Sequence, residues 1–240
     1  MIELISFDIW KTLIRSDPTY AYVQLRAERI AQALGLDDRV PEVREAIRLA
    51  SNRLDDHTDH TGIQHGVEDR LVLTAEIVDA TPLDTRGMRI LSQELHDLHV
   101  ANPPHLMEPT LPDTLTALRD LGLEIAVISN TGMSSGRTLR AIFEGLGILT
   151  SIDYLVFSDE VGVAKPDPEI FAKLVTISGI EPASILHVGD NPLADVGGAT
   201  AKGLHARLYA PGTDAVEGTI SSHASLLTDA LVTGGLKVRS

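Results

Sequence analysis

An apolar run, Ile2 to Phe7, leads straight into Asp8, and the chain's only tryptophan, Trp10, stands two residues later. A carboxylate set directly after a buried strand is placed as a nucleophile: its oxygen can attack an electrophile held in front of it and split one difficult step into two. Three more apolar runs end in reactive types: Ser129-Asn130 after "AVI", Ser158-Asp159 after "LVF", and Gly189-Asp190 after "LHV". Carboxylates, a hydroxyl and an amide gathered at strand ends can hold a metal and an anion together. Each has a plainer meaning when taken alone. A strand-end aspartate often caps the next turn, and a lone serine is a common turn residue.

These residues need a scaffold that brings strand ends together. Ile2–Phe7 reads as a short buried strand. Asp17-Pro18 reads as a cap followed by proline at the first helical position. Val23, Ala27, Ile30 and Leu34 then recur at helical spacing, closed by Gly35. Pro41 opens a second helix with Val43, Ala46, Ile47, Ala50 and Leu54 on one face. After the polar stretch "DDHTDHTGIQHG", helical patterns run near Val67–Val78 and Asp84–Val100, and Asn102-Pro103-Pro104 ends the block. Beyond it, helices at Pro112–Leu121, Gly136–Gly145, Pro168–Ser178 and Pro192–Lys202 alternate with apolar strands at "LEIAVISN", "DYLVFS", "SILHVGD" and "LHARLY". A last helix is expected over His223–Val232. Alternating short strands and helices mean a parallel sheet covered on both faces. The expected fold is α/β: a doubly wound parallel-sheet core from residues 1–14 and 106–240, with residues 15–105 inserted as a helical domain. In such sheets ligands bind at the carboxyl ends of the strands.

Four segments, in order, resemble the motifs of the haloacid dehalogenase-like (HAD) superfamily, and the resemblance covers almost the whole chain. They are "FDIWKTL" with Asp8, "VISNTG" with Ser129, "VAKPDPEIF" with Lys165 and "HVGDNPLAD" with Asp190 and Asp195. The helical insert is similar to the family's type-1 cap. The resemblance implies a Rossmann-like core and a phosphatase reaction through an aspartyl phosphate on Asp8. It implies Lys165 as the cation that screens nucleophile from phosphate, with Ser129 and Asn130 cradling the phosphoryl oxygens. It implies Mg²⁺ held by Asp8, the backbone carbonyl of Trp10, Asp190 and Asp195. Thr12 is counted with Ser129 and Asn130 among the phosphate-binding residues and is expected to hold the first loop by hydrogen bonds.

The first motif departs from the family at two positions. Phosphatases of this kind usually carry a second aspartate two residues after the nucleophile, as general acid and then base, work worth about 10²–10⁴-fold. That position is Trp10, whose indole N–H is a donor only. The next, usually glycine, is Lys11. Three readings follow. One is a magnesium-dependent phosphatase whose substrate has a good leaving group, such as an acyl or enol phosphate, or whose acid is Lys11 or a cap histidine. Another is a metal-independent 2-haloacid dehalogenase, a branch with an aromatic residue at this position but with Ser and Asn where this chain has the "GD" acid. The third is a degenerate member that binds without catalysis. The phosphatase reading fits the fourth motif best. A Schiff-base reaction with a cap lysine is set aside, because residues 15–105 contain no lysine.

Six of the nine histidines lie between His57 and His105. His57 with His60, and His96 with His99, are spaced to share helix faces; a polar helix end and loop is the simpler account than a zinc site. Arg26, Arg29 and Arg39 are candidates for gripping a substrate anion, and each is individually expected on a solvated helix face. The 240-residue chain has a formal charge of −14, 43% hydrophobic residues and no cysteine. This excludes thiolate chemistry, argues against general nucleic-acid binding and fits a cytoplasmic protein. No run reaches the roughly 18 apolar residues of a membrane span, and the acidic Glu3 does not suit a signal peptide. The expected partner is a small phosphorylated or halogenated molecule, taken up by a monomer or homodimer.

Overall fold

The computed structural model describes residues 1–16, 20–213 and 216–233. Strand β1 (Leu4–Phe7) is buried along its whole length, and the two-residue strand β2 (Ile14–Arg15) follows it. Four helices come next: α1 (Ala21–Ala33), α2 (Val40–Thr61), α3 (Val67–Ile77) and α4 (Thr85–Ala101). Strand β3 (His105–Leu106) then pairs antiparallel with β2, Ile14 opposite Leu106 and Arg15 opposite His105. The alternating part runs α5 (Leu111–Asp120), β4 (Glu124–Ser129), α6 (Gly136–Gly145), β5 (Tyr154–Phe157), α7 (Ser158–Val161), α8 (Pro168–Ser178) and β6 (Ile185–Gly189). A π-helical turn at Pro192–Gly197 continues into α9 (Gly198–Ala201). Strands β7 (His205–Tyr209) and β8 (Thr219–Ile220) and helix α10 (Ala230–Thr233) are the last of the described residues' strands and α-helices.

The six long-range strands form one sheet in the order β5-β4-β1-β6-β7-β8, every pair parallel. Successive side chains point to opposite faces of a strand, and the core divides accordingly. Ile5, Phe7, Val127 and Val188 meet Leu115 of α5 and Phe143 of α6 on one face. Leu4, Ala126, Ile128 and Ile185 meet Phe171 and Leu174 of α8 on the other. A separate apolar cluster, including Ala27, Ile30, Val43, Ile47, Leu71 and Leu91, joins α1–α4 to one another. This helical layer meets the sheet's end through Met133, which packs on its apolar cluster, and through polar contacts. Asn191 Nδ2 donates to Asp59 Oδ2 (2.8 Å) and Gln64 Nε2 to Thr131 Oγ1 (3.3 Å). Ala164 N donates to Gly62 O (2.9 Å). Among the described residues no helix is long and apolar enough to cross a membrane.

The alternating order matches the expected doubly wound sheet, and several local details differ. The Asp17-Pro18 start lies outside the described residues. Tyr22 and Ala31, not Val23, are buried on α1. Leu54 is only half-buried. The single helix expected over Pro192–Lys202 is a π turn and a short α-helix. The Asn191 side chain accepts from the N–H groups of Leu193 and Ala194, which widens the first turn. The terminal helix expected over His223–Val232 is a 3₁₀ turn (His223–Thr228) followed by α10.

Candidate active site

Strands β4, β1 and β6 are adjacent, and Phe7 is level with Val127 and Val188. Asp8 and Asp190, which follow β1 and β6, and Ser129-Asn130, at the end of β4, therefore emerge side by side. Register alone brings them together across more than 180 residues of chain. Asp195 comes up from the π turn after β6. Gly189 makes room for it: a Cβ on Gly189 would lie 2.2 Å from the Asp195 carboxyl carbon.

Lys165, in the loop before α8, is buried to 2% exposure beneath these groups. Its ammonium donates to Asp8 Oδ1 (2.6 Å), Asp195 Oδ1 (2.6 Å) and Ile128 O (3.0 Å), which uses all three N–H groups. The Asn130 side chain fixes this loop, accepting from Lys165 N (2.7 Å) and donating to Lys165 O (2.9 Å). Ser129 Oγ lies 3.4 Å from Asp8 Oδ1. Asp195 is also held by His187 Nε2 (3.2 Å) and by Asn191 N on Oδ2 (2.9 Å), while Ser6 Oγ pairs with His187 Nδ1 beneath (2.8 Å).

Three carboxylates face one buried ammonium, so negative charge is in surplus. Burial, reinforced by Asp195 and Asp190 against the pull of Lys165, pushes the Asp8 carboxyl up to about 7. Burial also raises Asp190, where the exposed Lys11, 3.6 Å away, pulls in the other direction. Burial works against ionising Asp195 too, but Lys165 and His187 hold its carboxyl below the usual range. Lys165 resists burial and stays charged because Asp195 and Asp8 flank it. Oxygens of Asp8, Asp190 and Asp195 all lie within 4.8 Å of one another. This is a donor set of hard oxygens in a negative field, and it fits a divalent cation.

The cavity above Asp8, about 420 Å³, is walled by both the strand ends and the helical layer. Trp10 lies on its wall, its ring 6.2 Å from that of His99, which in turn stacks on Tyr22 at 3.8 Å. Both His99 nitrogens are engaged, by the Tyr20 hydroxyl (2.5 Å) and by Ser134 Oγ (3.0 Å). Sequence reasoning missed this wall of Tyr20, Tyr22 and His99, and also Arg70. Arg70 is buried at 3% exposure and donates to Asp55 (2.8 Å).

Two expected site residues take different parts. The Thr12 hydroxyl is buried without a hydrogen-bond partner. The first loop is held instead by main-chain bonds from Leu13 N and Ile14 N to Ile9 O and from Lys11 N to Ile14 O. The Asn130 side chain spends both ends on the Lys165 peptide, leaving it to orient lysine rather than to reach an anion. Lys11 adopts φ 60°, the left-handed conformation glycine takes most easily. Of the histidines, His57 meets His65 (2.9 Å), His60 turns to Asp56 O, and His96 turns to Thr138.

Burial, with Arg26 and His96 adding to it, lowers the His99 pKa from 6.5 to about 3. A histidine held neutral in the fold contributes stability above its unfolded pKa and loses it as pH falls from 6.5 toward 3. At pH 5 the His99 share of that loss is about 2 kcal/mol, or roughly 4–8 °C of melting temperature. Burial lowers His187 and His223 in the same direction. Melting scans from pH 7 to 5 are expected to show this fall, and His99→Gln to flatten it by its share. An unchanged slope in the variant would exclude His99 as the group responsible.

A family model of haloacid dehalogenase-like hydrolases matches residues 2–203. The haloacid dehalogenase-like hydrolase domain-containing protein 3 of Homo sapiens is 28% identical over 211 residues, covering 86% of this chain and 81% of that protein. Among solved structures, a HAD phosphatase from Thermococcus onnurineus superposes with a TM-score of 0.70 at 22% identity, over 99% of this chain and all of the other. The L-2-haloacid dehalogenase of Xanthobacter autotrophicus superposes with a TM-score of 0.65 at 20% identity over the same shares. Neighbours of both chemistries thus share the fold, and the fold does not choose between them.

Proposed function

The chain belongs to the haloacid dehalogenase-like hydrolases, and from that premise we propose that it is a magnesium-dependent phosphatase of a small phosphorylated metabolite. The observation that carries this reading is the cluster of Asp8, Asp190 and Asp195 with only one buried lysine among them. Displacement at carbon needs no such surplus of carboxylates; attack on a phosphate does, because one anion must approach another. The ion would be held by Asp8, Asp190 and the main-chain carbonyl of Trp10. Asp195, with three acceptor positions already taken by Lys165, His187 and Asn191, would assist through the one remaining on Oδ2. Magnesium bound there supplies charge neutralisation and polarises the phosphoryl oxygens.

The chain's own residues do the rest. Asp8 Oδ1 takes the bonds from Lys165 and Ser129, so Oδ2 is the oxygen left to attack phosphorus. The bond from phosphorus to the leaving oxygen breaks, and the phosphoryl group passes to Asp8 as an acyl phosphate. Water then cleaves it, regenerating the carboxylate. Lys165 remains charged beside both anions, and Ser129 offers its hydroxyl to the transferred oxygens. Residues 15–105 would act as the cap that excludes bulk water from this cavity. No side chain at position 10 protonates the leaving group, and His99 is neutral with both nitrogens occupied. Lys11, Asp55, Asp59 and His65, all on the cavity wall, are among the titratable groups that remain. A good leaving group, as in an acyl or enol phosphate, suits such a site. The lack of cysteine fits a cytoplasmic setting.

One observation favours a second reading. The aromatic wall of Trp10, Tyr22 and His99 suits a dry apolar pocket, as metal-independent dehalogenation of a 2-haloacid would need. A phosphate-release screen that includes acyl phosphates, run with magnesium or chelator, separates the two. Phosphate release is expected, falling by about 10²-fold or more under chelator, since metal stabilisation is worth several kcal/mol. Chelator-resistant halide release from 2-chloropropionate would establish the second reading instead. Neither activity over a broad panel would leave a binding protein.

A further inference from the structure

We infer that the cavity takes a substrate whose far end is anionic, a carboxylate or second phosphoryl group, and that Arg26 is the residue that receives it. This rests on the reading that the reacting phosphoryl group sits over Asp8. Four cationic side chains line the cavity among the described residues: Lys11, Arg26, Arg70 and Lys165. Three have their charge met inside the protein. Lys165 lies between Asp8 and Asp195, Lys11 faces Asp190, and Arg70 pairs with Asp55. No described carboxylate forms an ion pair with Arg26, and its Nε is buried without a hydrogen-bond partner.

Three other arginines of the helical layer lie away from the cavity and are paired. Arg29 pairs with Glu94, Arg39 with Glu42 and Arg48 with Glu45. Arg26, on the same helix as Arg29, lines the cavity and has no acid partner among the described residues. Arg70 also has a buried Nε without an acceptor, but its charge is already balanced. A guanidinium partly removed from water with its Nε–H unused is costly to maintain and matches the fork of a carboxylate or phosphate. The Tyr22 ring, 5.3 Å from the Arg26 guanidinium carbon, supports it from one side. Tyr22 is itself stacked on His99, so the platform is built into the wall. A cavity of about 420 Å³ admits a small metabolite with charged ends, not a nucleotide-sized polymer fragment.

Non-hydrolysable probes test this without relying on turnover. With magnesium present, titration calorimetry is expected to show 3-phosphonopropionate binding about 10-fold or more tightly than propylphosphonate, the share of one charge-assisted pair. That preference is expected to fall to near unity in Arg26→Gln and to recover partly in Arg26→Lys, which keeps the charge. Propane-1,3-bisphosphonate in the same series tells a carboxylate site from a phosphoryl site by which probe shows the larger Arg26-dependent gain. Circular dichroism checks that both variants are folded. Equal binding to the wild type of the probes with and without a far anion, no binding of any probe, or a preference that survives Arg26→Gln would overturn the inference. Phosphate release without this preference would refute the anion subsite alone; the preference without phosphate release would refute the proposed activity alone.

Discussion

Asp8→Asn is expected to lower phosphate release by roughly 10⁴-fold or more, the scale of removing a nucleophile from a covalent mechanism. The amide is nearly isosteric, and its oxygen still accepts from Lys165, so the loss is one of chemistry rather than of architecture. The same change is expected to raise the melting temperature of the metal-free protein at pH 8. Burial lifts the Asp8 carboxyl from 3.8 to about 7. A carboxyl raised in the fold contributes stability below its unfolded pKa and loses it as pH rises through the folded value. At pH 8 the wild type therefore carries the full cost of the buried charge, on the order of a few kcal/mol, and asparagine removes it. The gain should shrink toward pH 5. Phosphate-release assays and calorimetric scans in chelator give both readouts. Retained activity would end the nucleophile assignment. A lower melting temperature at pH 8 would show that Asp8 is balanced by its surroundings without a metal.

The second large effect is expected from Trp10→Asp. It supplies a general acid and base two residues from the nucleophile, and turnover of ordinary alkyl phosphates should rise by roughly 10²–10⁴-fold. The main chain at position 10, which the proposed metal site uses, is unchanged. The indole removed lies on the cavity wall beside His99, so the variant also admits water to the acyl phosphate. In the wild type that intermediate should accumulate: a burst of one equivalent of leaving group, then slow release, with hydroxylamine trapping the modified Asp8. In the variant the burst should vanish. A wild type that turns over alkyl phosphates rapidly without a burst would show that another group already does this work.

Much of this was legible because two strong periodicities met at a few positions. Apolar runs of four to six residues marked β1, β4 and β6, and the residue types at their ends made Asp8, Ser129 and Asp190 candidates. Lys165 and Asp195 needed the motif resemblance, since neither follows a strand. Other features left no trace in the pattern. β2, β3 and β8 are two residues long, too short for alternation to register. The π turn depends on how Asn191 bonds to the next main-chain groups. The partners of Thr12 and Asn130 are decided by which neighbour lies nearest in space. Arg26, Arg29 and Arg39 look alike along the sequence; only helix phase and the placement of Glu94 and Glu42 separate the unpaired one from the paired ones. Tyr22 and His99 sit on different helices, and their contact across the cavity wall exists only after packing.

The ribbon of β2 against β3 has a meaning for how such a chain can change. Because Ile14 lies opposite Leu106 and Arg15 opposite His105, the path leaves the sheet and returns to it at one doorway. Whatever is spliced between those points meets the same two anchored ends. Closing a longer excursion costs only about 0.6 kcal/mol for each doubling of its length. The segment can therefore lengthen or shorten while the strand ends it departs from and returns to keep their register.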